Sequence, residues 1–239
     1  MTALKDRVVV IFGAGGGMGS AITADLASSV GRLALADLDQ AALSTVESQA
    51  RTTGAQVLAT ALDSTQEEQV GAFLAAVKDR FGCADALIYL PGLSIPAKIE
   101  SMAIADYDKT FDVNVKGAFL AAKHFLGVVD PGRDGQILLT SSMASKRANP
   151  SAPVYCAAKA AVSMLAQGLA LQAKEKNVRV TTLLPGPTNT AGFWGSRPVP
   201  REKFMTTTDI ARLVRFILEL PAHIVMHEVD FESFIYFKQ

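Results

Sequence analysis

Cysteine is scarce: the 239 residues contain two, Cys83 and Cys156, a weak case for a disulfide and one that suits a reducing compartment. There is no surplus of either charge. Lys+Arg and Asp+Glu both number 23, so nothing in the balance draws nucleic acid or anionic membrane, and neither is expected as a partner. The three histidines, His124, His223 and His227, show no metal-ligand spacing, and no metal is expected. Near the start, the apolar run Val8–Phe12 is far shorter than a membrane span and follows Lys5, Asp6 and Arg7. It reads as a first strand rather than a signal peptide. With no export signal, the expected location is the cytoplasm.

What the chain does have is apolar material: 49% of residues, against 19% charged, which excludes disorder and calls for a large core. The length fits one domain, 1–239, able to fold without a staple. Strands are expected at 7–12, 32–36, 56–61, 86–90, 136–140, 179–184 and 223–229. Most are rich in Val, Ile and Leu without alternation, as in strands buried on both faces of a parallel sheet. Helical periodicity marks 17–29, 40–53, 66–81, 104–126, 153–176 and 208–220. This alternation predicts an α/β fold: a single doubly wound domain with a mostly parallel, about seven-stranded sheet flanked by helices. The one long irregular stretch, 185–207, has the length of a functional loop or lid.

Gly13-Ala14-Gly15-Gly16-Gly17-Met18-Gly19 joins the first strand to the first helix, the context a phosphate-binding turn needs. Glycine lets the backbone turn sharply and approach a pyrophosphate, while the N–H groups of the helix start face its charge. A flexible loop would carry the same residues. The second strand ends at Asp37, about 20 residues beyond the turn, where a carboxylate reaches a ribose 2′-hydroxyl and repels a 2′-phosphate. No Lys or Arg lies within the turn or beside Asp37, so NAD is expected over NADP. An ordinary surface Asp in a turn is the alternative. Asp63, after the third strand, either sits near the adenine or caps a helix with Ser64.

Tyr155-Cys156-Ala157-Ala158-Lys159 places a phenol and an ammonium one turn apart on a single helix face. Ser142 stands thirteen residues upstream at a strand end, Asn114 lies in an earlier helix, and Pro185-Gly186-Pro187-Thr188-Asn189-Thr190 follows the sixth strand. Singly, Ser142 could cap a turn, Asn114 could satisfy helix backbone and Tyr155 could be half-buried packing. Together with glycines at 13, 17 and 19, the set resembles the short-chain dehydrogenase/reductase family over residues 7 to about 229.

The resemblance implies a Rossmann-type domain that moves a hydride between NAD(H) and a secondary alcohol or ketone, working as a homodimer or homotetramer. It casts Tyr155 as acid/base and Lys159 as the cation that lowers the phenol pKa and holds the nicotinamide ribose. Ser142 would polarise the substrate carbonyl, and Asn114 would position a relay water. Gly13, Gly17, Met18, Gly19, Asp37, Asp63, Gly92, Pro185, Gly186, Thr188 and Thr190 would bind the cofactor with Tyr155 and Lys159. Two other readings compete. One is an NADP(H)-dependent carbonyl or 3-oxoacyl reductase, which needs a basic residue near Asp37. The other is a non-catalytic NAD(H)-sensing or scaffold protein, which the retained Tyr155 and Lys159 disfavour.

The chain departs from the family pattern in three places. Phe12 replaces the usual Thr before the first glycine, removing a hydroxyl that ties the turn to neighbouring backbone. Tyr89-Leu90-Pro91-Gly92 replaces Asn-Asn-Ala-Gly, and Pro91 lacks an N–H, so backbone bonding there must differ. The ending has no Asp-Gly-Gly, and its apolar tail, Phe231, Phe234, Ile235, Tyr236 and Phe237, packs on its own domain or, as favoured here, on another subunit. Leu93, Ile95, Met143, Phe193 and Trp194 are expected around the substrate. Lys146 and Arg147 either meet an anionic substrate group or, as favoured, are solvated loop charges.

Overall fold

Val8-Val9-Val10-Ile11-Phe12 is buried at all five positions, because both faces of this strand meet a layer of helices. Val8, Val10 and Phe12 join one core cluster with Phe73, Leu74, Phe125 and Val162, while Val9 and Ile11 join another with Ile22, Leu26, Leu43 and Val214. The computed structural model describes residues 4–238, the side chain of Ala191 excepted. Its strands are β1 (Val8–Phe12), β2 (Arg32–Asp37), β3 (Gln56–Ala61), β4 (Ala86–Tyr89), β5 (Gly135–Thr140), β6 (Val178–Pro185) and β7 (Glu228–Phe231). They form a seven-stranded sheet in the order β3-β2-β1-β4-β5-β6-β7, each neighbouring pair parallel. This is the doubly wound α/β fold the alternating pattern predicts.

One helical layer contains α1 (Gly17–Ala27), α2 (Gln40–Arg51) and α8 (Thr207–Leu218); the other contains α3 (Glu67–Phe81), α5 (Gly117–Phe125) and α6 (Pro153–Ala173). From β1 the chain runs outward to β3, then returns to the centre as β4 and runs outward the other way. The order therefore reverses between β1 and β4, and a crevice opens beyond their carboxyl ends. The opposite end of the sheet is fastened by charge. Asp134 pairs with Arg7 at 2.7 Å and with Arg179 at 2.8 Å, and Asp85 pairs with Arg133 at 2.6 Å.

Three expected elements change on folding. The helix expected at 104–126 is α4 (Ile104–Phe111), a π-helical turn over Asp112–Lys116, and then α5. The expected strand 223–229 is displaced to β7. Arg179 Nη1 donates to the Pro221 carbonyl at 3.1 Å and also to that of Ile224, and the Ile224 N–H donates to Pro221 O at 2.9 Å. That turn uses up the first part of the run, so pairing with β6 starts only at Glu228, opposite Thr182. The irregular stretch after β6 is partly ordered, with α7 (Ala191–Trp194), a 3-10 turn at Arg201–Lys203 and a Thr188–Met205 bridge. A last short helix, α9 (Phe234–Phe237), divides the apolar tail. Phe231 packs on the core and Tyr236 is half-buried, while Phe234, Ile235 and Phe237 are exposed.

Candidate active site

The glycine turn is tied to β2 by backbone. The N–H groups of Gly13 and Ala14 both donate to Ala36 O, at 2.8 and 3.1 Å. These bonds hold the turn where Phe12 supplies no hydroxyl; the Phe12 ring instead meets Phe73 edge-on, with centroids 5.5 Å apart, and lies 5.9 Å from Tyr89. Pro91 packs over Gly13, whose φ is +79°, and a methyl group added at Gly13 would lie 3.2 Å from the Pro91 ring. The altered bonding expected at Pro91 thus resolves as a packing contact, immediately after the last ladder bond from Leu90 N to Phe12 O. Gly16 caps α1 without a side-chain hydrogen bond, which leaves first-turn N–H groups facing the crevice for an anion.

Asp37 closes the same turn. Its Oδ2 accepts from Gly15 N at 2.8 Å and its Oδ1 from Asp39 N at 2.9 Å. A carboxylate has about four lone-pair sites, so two remain for a diol. Asp63 lines the crevice but does not cap a helix with Ser64: its Oδ1 accepts from Thr65 N and Thr65 Oγ1 at 2.9 and 2.8 Å. The N-cap of α3 is Gln66, and Ser64 Oγ lies 3.1 Å from the Tyr89 hydroxyl.

Asn114 sits in the π-helical turn and is buried. Its Nδ2 donates to Leu93 O and Thr110 O, both at 2.8 Å, while its buried Oδ1 has no donor among the described residues. A methyl group added at Gly92 would stand 3.5 Å from that oxygen and 3.4 Å from Lys159 Nζ, so both groups face one spot. Sequence reasoning missed what holds the turn open. The Tyr89 hydroxyl donates to Val113 O at 2.7 Å, and Gly117 is needed because any Cβ there would strike that hydroxyl at 2.0 Å. Burial pushes the Tyr89 pKa up, so it stays a donor.

Ser142, at the end of β5, does cap a turn, accepting from Ala144 N at 3.1 Å, and it also lines the crevice. Its neighbour Ser141 ties β5 to α6 by donating to Lys159 O at 2.8 Å. Lys159 is 2% exposed, and its Nζ donates to Thr140 O at 2.8 Å. Burial pulls its pKa from 10.5 down to about 7. Burial also pushes the Tyr155 phenol up to about 12, against opposing pulls from Ser142 and Arg197. The expected lowering by Lys159 does not show in the chain alone: the ammonium lies 5.7 Å from the phenol ring centre, and the loss of hydration dominates.

A crevice of about 1130 Å³ runs continuously from the glycine turn to these groups. Every expected cofactor residue lines it, as do Ser142, Leu93, Met143, Phe193, Trp194 and Arg147. Asn114, Ile95 and Lys146 are not in its wall. Gly186 is in the wall, but the close packing there is with the tail, since a Cβ would come 2.4 Å from Glu232 Cβ. Neither basic residue is a free loop charge. Lys146 pairs with Glu228 and, at 2.7 Å, with Asp230; Arg147 pairs with Glu232 at 2.6 Å. Their partners lie some 80 residues away, which no local pattern announces.

Comparison with known proteins decides the family: a model described as short chain dehydrogenase matches residues 7–198. The chain belongs to that family. An oxidoreductase of Staphylococcus aureus described as uncharacterized is 31% identical over 229 residues, 96% of this chain and 98% of its own. Among solved structures, an alcohol dehydrogenase from the archaeon Thermococcus sibiricus, complexed with 5-hydroxy-NADP, is 30% identical with a TM-score of 0.87, covering 96% and 97% of the two chains. An NAD+-bound xylitol dehydrogenase, 24% identical over 96% and 99%, shares the fold with a TM-score of 0.88. This short-chain dehydrogenase is thus an NAD(P)-dependent oxidoreductase.

The buried lysine has a consequence for stability. Below pH 7 both folded and unfolded dehydrogenase carry the Lys159 proton, and the cost of burying the charge is fully present. Between about 7 and 10.5 only the unfolded chain still holds it, so stability climbs with pH through that window. Urea unfolding of the cofactor-free protein should gain roughly 3 kcal/mol between about pH 6.5 and about pH 9.5, and Lys159→Met should flatten the gradient. An unchanged gradient in the variant would assign it to other groups.

Proposed function

We propose that this dehydrogenase interconverts a secondary alcohol and a ketone with NAD(H), with Tyr155 as the acid/base. The observation that carries the reading is the single crevice that joins the Gly13–Gly19 turn and Asp37 at one end to Ser142, Tyr155 and Lys159 at the other. When bound, the nicotinamide supplies or takes the hydride. Ser142 holds the substrate oxygen, and Tyr155 gives that oxygen a proton in reduction and takes it back in oxidation. Lys159 replenishes the proton, with Asn114 Oδ1 ordering the path to solvent beside Gly92.

The preference for NAD rests on charge. Asp37, Asp39 and Asp63 line the adenosine end, and the neighbouring wall there is Leu38, Ala42 and Ser64, with no cation against Asp37 among the described residues to seat a 2′-phosphate. The NADP(H) reading draws support from the Thermococcus relative, whose bound ligand is an NADP derivative. Thermal unfolding with each cofactor decides between them. Ligand at about 100 times its Kd adds about 2.7 kcal/mol, a rise of about 5–10 °C for a chain of this size. The rise is expected with NADH. A rise with NADPH alone would overturn the Asp37 argument, and none with either would favour the scaffold reading.

A further inference from the structure

The two ends of the crevice carry opposite charge. Its acidic wall residues, Asp37, Asp39 and Asp63, all lie at the adenosine end, and beyond Tyr155 the wall contains Arg147 and Arg197. Arg147 is neutralised by Glu232. Arg197 pairs with no carboxylate among the described residues. It is half-buried, its Cζ stands 5.1 Å from the Phe193 ring centre and 5.0 Å from that of Trp194, and its donors Nε and Nη2 go to the carbonyls of Trp194 and Phe193. Two ring faces and two carbonyls fix the guanidinium plane without cancelling its charge. Its Nη1 has no acceptor among the described residues. Phe193 also meets the Tyr155 ring, with centroids 5.8 Å apart, so the cation sits one ring away from the phenol. Lys109, the other wall cation outside the buried Lys159, is exposed on α4 and adds to the field rather than forming a seat.

We infer that Arg197 is a substrate-binding residue that receives a carboxylate, which makes the substrate an oxo acid in one direction and a hydroxy acid in the other. A guanidinium held flat and partly desolvated matches the planar, two-oxygen geometry of that group. The inference rests on the proposed role of Tyr155. In reduction, the carbonyl carbon gains two electrons and a proton from the reduced nicotinamide, and the oxygen gains one proton from Tyr155. The carboxylate is unchanged and anchors the far end of the molecule.

The test uses the dehydrogenase with NADH, a series of straight-chain oxo acids of rising length, and the methyl ester of each. In the native protein kcat/KM should favour the best acid over its ester by about 10- to 100-fold. Arg197→Gln should collapse that ratio to within about threefold, and Arg197→Lys should keep part of it. Because the ratio is taken within each variant, a general loss of activity cancels, and the Kd for NADH reports whether the fold survives. Thermal stabilisation by each acid is measured in parallel, with and without NADH. Stabilisation that Arg197→Gln removes supports the seat even where nothing turns over, an outcome that counts against the Tyr155 reading and not against this one. Esters used as well as acids, an acid preference that survives Arg197→Gln, or no stabilisation by any acid would overturn it.

Discussion

Tyr155→Phe should lower turnover by about 10³-fold or more while leaving the Kd for NADH within about threefold. The substitution removes one oxygen and keeps the ring that packs 5.8 Å from Phe193, so little else in the wall should move. With its pKa raised to about 12 by burial, the phenol is protonated at neutral pH and poised to donate to a carbonyl oxygen. Lys159 Nζ spends one of its N–H groups on Thr140 O, which fixes the ammonium in place beside the phenol ring. Steady-state rates with NADH fluorescence titration check both halves. Activity kept within about tenfold would assign the proton to another group, and loss of NADH binding together with turnover would make Tyr155 structural.

The second large effect lies at the other end of the crevice. A Cβ at Gly19 would stand 2.0 Å from Gly13 O and 2.7 Å from Ala14 Cα. Both are backbone atoms of residues whose N–H groups donate to Ala36 O, so no side-chain rotation relieves the clash. Gly19→Ala should weaken NADH binding by about 100-fold or more and lower the melting temperature by on the order of 10 °C. Gly168→Ala is the matched control, because that glycine lies in α6 with nothing within 4 Å of an added methyl. There the same substitution should be neutral or stabilising by up to about 1 kcal/mol. Equal effects at the two sites would mean the glycine turn yields more readily than its contacts allow.

The parts of the molecule that could be read in advance are those written in local periodicity. Apolar runs without alternation mark the buried strands, and the four-residue interval from Tyr155 to Lys159 marks one helix face. The π-helical turn at Asp112–Lys116 was invisible for a physical reason. One extra residue slips the helical phase, but α4 and α5 on either side have only eight and nine residues, too few to show the slip. The Tyr89 hydroxyl that occupies the turn's carbonyl comes from a distant strand. Arg197 was missed because a loop has no period against which a cation stands out. Lys146 and Arg147 are exposed, as the loop reading has it, but ion-paired, because their acidic partners lie in β7 and just after it. The last strand was placed too early because apolar content cannot reveal that Arg179 claims the carbonyls of residues 221 and 224.

Five aromatic rings run from the Tyr155 phenol to the last helix: Tyr155, Phe193, Trp194, Phe204 and Tyr236, with successive centroids 5.8, 5.3, 5.0 and 5.4 Å apart. The middle ring is the only tryptophan in the sequence. All indole emission from the molecule therefore originates in the wall of the crevice, within the segment that links β6 to α8. Reduced nicotinamide absorbs light at the wavelengths where indole emits, so cofactor in the crevice draws excitation energy from this residue. The protein carries a built-in donor for energy transfer, placed between the phenol and the C-terminal helix, and movement of that segment can be followed in light without attaching a dye.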